Sequence, residues 1–267
     1  MMKSIKKILL EEKIMVDKKE IENIKQWIRS YLTSSHANGV VLGMSGGKDS
    51  LVTAKLCADA LGKHKVLGII MPNGDMKDNK VAIESCKLLG IRYYEINIKN
   101  IYDLSIYNIR EVLERENRQL STVTTYNIPP RLRMSTLYSI AGSLGYLVAN
   151  TSNLSETMVG YTTKWGDNVG DFGVLANFTK EEVCQLGILL GLPPHLVNKA
   201  PDDGLTGKSD EDKLGFKYKS LDDFIRKGLK SEEHDKIMAM HKSSQHKRIG
   251  VVKYQSNLTN FFEDEKE

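Results

Sequence analysis

The chain has 267 residues, 40% hydrophobic and 27% charged, and 38 basic against 34 acidic side chains leave a formal charge of +4. This is globular composition with room for one large core; the charge suits a phosphate-bearing ligand and is too slight to argue for nucleic acid by itself. Three dispersed cysteines, Cys57, Cys86 and Cys184, make no disulfide framework and no C-x-x-C zinc pair.

The first apolar run, Ile8-Leu9-Leu10, is shorter than the roughly 7–15 residues of a signal peptide or the roughly 20 of a membrane span. A soluble, cytoplasmic protein is expected. Apolar residues at Ile21, Ile24, Trp27, Ile28, Tyr31 and Leu32 form a helical stripe. Gly39 to Met44 reads as a buried strand, Ser50 to Leu61 as a helix stopped by Gly62, and Lys65 to Met71 as a second strand stopped by Pro72. A helix over Asp78–Leu89 and a strand over Ile91–Ile98 follow. Further helices are expected near Tyr102–Asn117 and from about Pro130 to Leu144, then a strand at Tyr146–Asn150. Strands alternating with crossover helices specify a parallel sheet. Beyond Thr151 the strand signal fades into helices at Lys180–Leu190, Ser220–Lys227 and Glu232–Ser243. The expectation is an α/β fold: a doubly wound parallel sheet over residues 18–151, completed by a helical C-terminal extension over 152–267 within one domain.

The most informative residues lie between the first strand and the next helix, at Ser45-Gly46-Gly47-Lys48-Asp49-Ser50. Ligands of open parallel sheets bind at the carboxyl ends of strands. A loop there that opens a helix presents free backbone N–H groups and a positive dipole end to an anion. Adjacent glycines let backbone approach phosphate closely. Ser45 and Ser50 add hydroxyls and Lys48 a cation. Asp49 either caps the helix or holds a cation against the phosphate. The spacing is not that of a Walker A loop.

This hexapeptide resembles the S-G-G-x-D-S signature of the ATP pyrophosphatases, which adenylate a substrate oxygen and release pyrophosphate. Downstream residues narrow the resemblance to the NAD synthetases. Asn127-Ile128-Pro129-Pro130-Arg131-Leu132-Arg133-Met134 is similar to their N-I-x-x-R-x-R-M segment, and Thr151 to Glu156 to their G-T-x-x-x-x-E segment. Gly160 to Asp167 resembles G-x-x-T-K-x-G-D. Lys199-Ala200-Pro201, Ser209-Asp210-Glu211 with Leu214-Gly215, and His246-Lys247-Arg248 match three later motifs.

The resemblance implies amidation of deamido-NAD: its nicotinate carboxylate is adenylated by ATP and the mixed anhydride is attacked by ammonia. It implies ATP contacts at Gly43, Met44, Ser45, Gly46, Gly47, Lys48, Asp49, Ser50, Thr151, Lys180 and Asp202. Deamido-NAD contacts fall at Arg131, Lys164, Asp171, His246 and Lys247. Asp49 and Glu156 are implied ligands of Mg2+, which neutralises departing pyrophosphate. Asp171 either positions or deprotonates ammonium or binds deamido-NAD, and Lys180 opens the next helix toward the site. A homodimer is implied, with the helices flanking Tyr102–Met134 at its interface.

The chain departs from the family at three places. Lys48 replaces the common glutamine, Asp202 the usual threonine or serine, and Thr151-Ser152-Asn153 is closer to glutamine-dependent members. Only 44 residues precede Ser45, so no amidase domain is expected and ammonia is the expected nitrogen donor. Segments near Pro72–Lys80 and Asp202–Lys213 are candidate lids. Two rivals were weighed. A tRNA-modifying member would bring a basic domain or paired cysteines; a nucleotide-binding sensor would lack the metal carboxylates.

Overall fold

The computed structural model describes residues 16–75, 79–198 and 209–254. Helix α1 (Lys18–Ser34) starts at Asp17, whose carboxylate accepts the Glu20 N–H at 2.7 Å, and it buries Ile21, Ile24, Ile28 and Leu32. Those four fall on one face of a 3.6-residue period. β1 (Gly39–Gly43) leads through the glycine loop into α2 (Lys48–Leu61), then β2 (Val66–Ile70), α3 (Asn79–Leu89) and β3 (Arg92–Glu95). After α4 (Lys99–Arg115) and α5 (Thr122–Leu144), β4 (Tyr146–Asn150) returns to the sheet.

The sheet order is β3-β2-β1-β4-β5, all parallel. β2 lies on one side of β1 and β4 on the other, so the chain reverses winding direction there. The crevice at the carboxyl end of β1 is the topological switch point. Side chains alternate between two cores: Val40 and Leu42 join α1, α2 and α7 residues, whereas Val41 joins Leu137 and Ala141 of α5. A sheet covered on both faces is the setting in which near-continuous apolar strands are stable.

Differences from the sequence expectation have local causes. Helix α5 begins at Thr122, eight residues before the expected start, because the Ser121 hydroxyl caps it by accepting the Thr124 N–H at 3.1 Å. Pro129 and Pro130 lie inside it, so Arg131 belongs to the helix interior and not to its first turn. The prolines supply no N–H to the carbonyls one turn back. Pro130 instead packs so tightly on Gly166 that a Cβ there would lie 2.9 Å from the Pro130 Cβ. β3 is shorter than expected, and β5 (Phe172–Gly173), only two residues long, carries no periodicity to read.

The remaining elements are α6 (Leu154–Val159), α7 (Lys180–Leu189), α8 (Pro194–Val197), α9 (Asp210–Leu214), α10 (Tyr218–Lys227), α11 (His234–Ser243) and α12 (Gln245–Arg248). Val159, Leu214, Phe216, Tyr218, Leu221 and Ile237 give this helical part a small core of its own. The candidate lids fall partly outside the described residues. Among the described residues no helix is long and apolar enough to cross a membrane.

Candidate active site

A cleft of about 420 Å³ opens where the sheet order switches, lined by the ends of β1, β2 and β4. Gly43, Met44, Ser45, Gly46, Gly47, Lys48, Asp49, Ser50 and Thr151 all face it, as the sequence led us to expect. The loop is internally braced. The Ser50 hydroxyl donates to the Gly47 carbonyl at 2.9 Å, and the Gly47 N–H donates to the Ser45 hydroxyl at 3.2 Å. Gly46 has φ +81°, a conformation that costs glycine little and other residues more. Gly47 caps α2 without a side chain, so first-turn amides stay available to an anion.

Opposite the loop stands a cluster of charges. Asn153 caps α6: its side-chain carbonyl accepts the Glu156 N–H at 3.0 Å, while its amide donates to Asp49 Oδ1 at 2.9 Å. One asparagine therefore fixes both carboxylates. Lys180 Nζ lies 3.2 Å from Glu156 Oε1 and 3.2 Å from Asp210 Oδ2, and Tyr161 donates its hydroxyl to Asp210 Oδ1 at 3.1 Å.

Burial first, and then the Asp49 charge, raise the Glu156 carboxyl to about 7, against the opposing pull of Lys180. For Lys180, burial lowers the pKa, but Glu156, Asp49 and Asp210 outweigh it and hold the ammonium above its ordinary value. The two carboxylates thus oppose each other, a conflict that a bound cation would relieve. No group of three or more His, Cys, Asp or Glu suited to a metal exists among the described residues. Two carboxylates nevertheless suit Mg2+, which keeps several waters and takes its other ligands from phosphate. The residues fit the group.

The candidate residues for the second substrate lie outside that lining, and most of them form one connected patch. Arg131 Nε donates to the Lys164 carbonyl at 3.1 Å, and Asn168, four residues on, donates to the Lys247 carbonyl at 3.0 Å. Lys164 Nζ sits 5.2 Å from the Trp165 ring centroid. His246 is exposed on α12. Lys247 Nζ donates to the carbonyls of Gly160 and Thr162, both at 2.7 Å, and Arg248 donates to those of Thr157 and Met158. These carbonyls belong to the last turn of α6, its Gly160 cap and the residues just beyond, where helical N–H partners run out. The terminal His-Lys-Arg motif thus ties down the helix that carries Glu156.

Asp171 stands apart from both groups. Its carboxylate accepts the Val148 N–H at 2.7 Å and lies 3.4 Å from the Tyr138 hydroxyl, so it extends the β4–β5 ladder. Asp202 and the Lys199-Ala200-Pro201 tripeptide lie outside the described residues.

Sequence reasoning did not assign four ionisable residues of the cleft lining. Arg133, whose Nε donates to the Met71 carbonyl at 2.9 Å, lines the cleft with Tyr161, Asp167 and Asp210. A signal was available for Asp210: Ser209 caps α9 in a capping box with Asp212, as Asn153 and Thr179 cap α6 and α7. All three sites read as a small polar residue with an acid three positions on.

The family model described as NAD synthase matches residues 20–251. The NH(3)-dependent NAD(+) synthetase of Thermococcus sibiricus is 42% identical over 208 residues, 78% of this chain and 79% of that one. That of Finegoldia magna is 36% identical over 242 residues, 90% and 97% of the two chains. Among solved structures, the NMN synthetase from Francisella tularensis superposes with a TM-score of 0.81 at 31% identity, covering 91% of this chain and all (100%) of that one. The NH3-dependent NAD synthetase from Campylobacter jejuni gives 0.72 at 26% identity, covering 90% and 100%. By matched span, identity and fold together, the chain belongs to the NAD synthase family.

Proposed function

We propose that the chain amidates the nicotinate carboxylate of deamido-NAD with ammonia, consuming ATP and yielding NAD, AMP and pyrophosphate. The observation that carries this reading is the placement of a phosphate loop, with Asp49 in it, across one cleft from Glu156, Lys180 and Asp210. A carboxylate oxygen attacks the ATP α-phosphorus and the bond to the β-phosphate breaks. Ammonia then attacks the acyl carbon, AMP departs with the bonding pair, and a proton is lost from nitrogen.

The loop amides and the hydroxyls of Ser45 and Ser50 hold the polyphosphate, while Lys48 and Lys180 supply positive charge. Asp49 and Glu156 would hold Mg2+, which would supply positive charge against the leaving pyrophosphate. Pre-set donors and charges of this kind act without reorganising as the transition state forms. Arg131, Lys164, Asp171, His246 and Lys247 are the proposed deamido-NAD residues, and Thr151 and Asp202 complete the proposed ATP set.

Two further points belong to this reading. α4 exposes Ile101, Leu104, Tyr107 and Val112, and α5 exposes Val123 and Tyr126; an apolar surface of this extent supports a homodimer through these helices. The cysteines are free, and burial pushes the Cys57 thiol up to about 12 and Cys86 to about 11. Inert thiols of this kind support a reducing, cytoplasmic setting.

The test is turnover by purified protein with ATP, Mg2+, an ammonium salt and deamido-NAD. AMP and pyrophosphate should appear in step with NAD and vanish without the acceptor. Activity should also rise from neutral to mildly alkaline pH, since free ammonia is the nucleophile; a flat profile at fixed total ammonium contradicts that. A second reading, the mononucleotide as acceptor, is favoured by the 0.81 superposition on an NMN synthetase. Comparing kcat/KM for nicotinate mononucleotide and deamido-NAD separates the two.

A further inference from the structure

Helix α10 presents Tyr218, Asp222 and Arg226 at four-residue intervals, so the three share one face. Each grips the start of α7. The Arg226 guanidinium donates to both oxygens of Glu182, each at 2.6 Å. The Asp222 carboxylate accepts the Glu181 N–H at 3.0 Å and the hydroxyl proton of Ser155, whose oxygen in turn accepts the Lys180 N–H at 3.0 Å. The Tyr218 ring then lies under the Lys180 side chain, its centroid 3.9 Å from Nζ. Tyr218 is 6% exposed, and its hydroxyl has no hydrogen-bond partner among the described residues. Among the described residues, then, this buried phenol makes its polar contact through the ring face.

We infer that Tyr218 is a positioning residue, whose ring face, anchored by Asp222 and Arg226, aims the Lys180 ammonium into the cleft between Glu156 and Asp210. The electronegative ring face attracts the cation and gives it a third contact besides the two carboxylates. It limits the arc through which a long, flexible lysine can swing. Without it the ammonium collapses onto one carboxylate and leaves the place where charge develops on the departing phosphate. The inference rests on the reading of this cleft as an adenylating site.

Replacing the ring in graded steps tests it. Tyr218→Leu removes the π face and should lower kcat about 30-fold, the equivalent of about 2 kcal/mol for a desolvated cation–π contact. The dissociation constant for ATP, measured by titration calorimetry, should stay within about twofold, because the loss falls on the transition state. Tyr218→Phe keeps the ring and should restore kcat to within about twofold of the wild type. Phenylalanines fluorinated at one, two and then three ring positions, placed at the same site, should lower kcat stepwise at constant shape. A purely structural ring gives no such gradient.

Wild-type turnover with kcat unchanged across the fluorinated series overturns the positioning role and leaves the adenylating reading intact. Tyr218→Phe as impaired as Tyr218→Leu also overturns it, by assigning the effect to the hydroxyl. Wild-type protein that forms no AMP with any pyridine acceptor overturns both.

Discussion

Along one wall of the cleft, residues 43–50 offer an anion what any backbone has: N–H groups, a glycine at φ +81° and two hydroxyls that mainly brace the loop itself. Along the other, Asn153, Glu156, Lys180 and Asp210 offer charges and side-chain dipoles gathered from three helices and a cap, and Asp49, whose carboxylate accepts the Asn153 amide, is the one side chain of the first stretch that belongs with them. The first wall is made by eight consecutive residues and is complete once β1 and α2 have formed. The second exists only when α6, α7 and α9 have docked. The difference predicts fragility. A wall made of backbone survives the loss of one side chain, and a wall made of paired charges does not.

The largest effect should come from the carboxylates. Asp49→Asn and Glu156→Gln should each cut turnover about 10²–10³-fold, measured as AMP formation at saturating Mg2+. Rates within tenfold of the wild type in both would remove the metal from this wall. Next, Gly160→Ala strikes the docking of α6 without touching either wall. Gly160 has φ +65°, and an added Cβ would come within 2.1 Å of the Ser244 Cβ. A loss of about 2–4 kcal/mol is expected, readable as a lower urea midpoint. An unchanged midpoint would mean that α11 and α6 are not held together there.

A third experiment reads the charge conflict itself. The Glu156 carboxyl, raised to about 7, binds a proton more tightly folded than unfolded. The cost of ionising it is absent below its ordinary pKa and grows as pH rises toward about 7. The metal-free wild type should therefore lose stability between about pH 4.5 and 7 relative to Glu156→Gln, by on the order of 1–3 kcal/mol. Mg2+ with nucleotide should erase the difference. Parallel stability curves for the two proteins would show that Asp49 and Glu156 do not oppose each other. The smallest effect belongs to the backbone wall: Ser50→Ala removes one hydroxyl brace and should raise the KM for ATP about 5–10-fold, the worth of one hydrogen bond. A loss as large as that at Asp49 would place the decisive chemistry on the hydroxyl.

The two walls also differed in how far the amino-acid order disclosed them. The phosphate loop is one uninterrupted motif between a buried strand and a helix, so local rules locate it and its ligand class. Glu156 and Lys180 were reachable through the family resemblance, and each lies in the first turn of a helix capped by Asn153 or Thr179. Asp210 carried the same capping signal, at Ser209, and Tyr218 carried none, but nothing local to either announces that α9 and α10 fold back over Lys180. Lys247 was legible as a functional position, but its two bonds to the end of α6 are tertiary facts without a local signature. β5 escaped because two residues have no period.

The bonds from Lys247 and Arg248 to the last carbonyls of α6 have a consequence for how the protein comes into being. The phosphate loop is synthesised well before the residues that fasten the opposite helix. A nascent or clipped chain ending before Gln245 therefore carries a finished nucleotide cradle facing an unfastened partner. Such a fragment should bind ATP yet form little AMP, an outcome that nucleotide binding and turnover measured side by side would check.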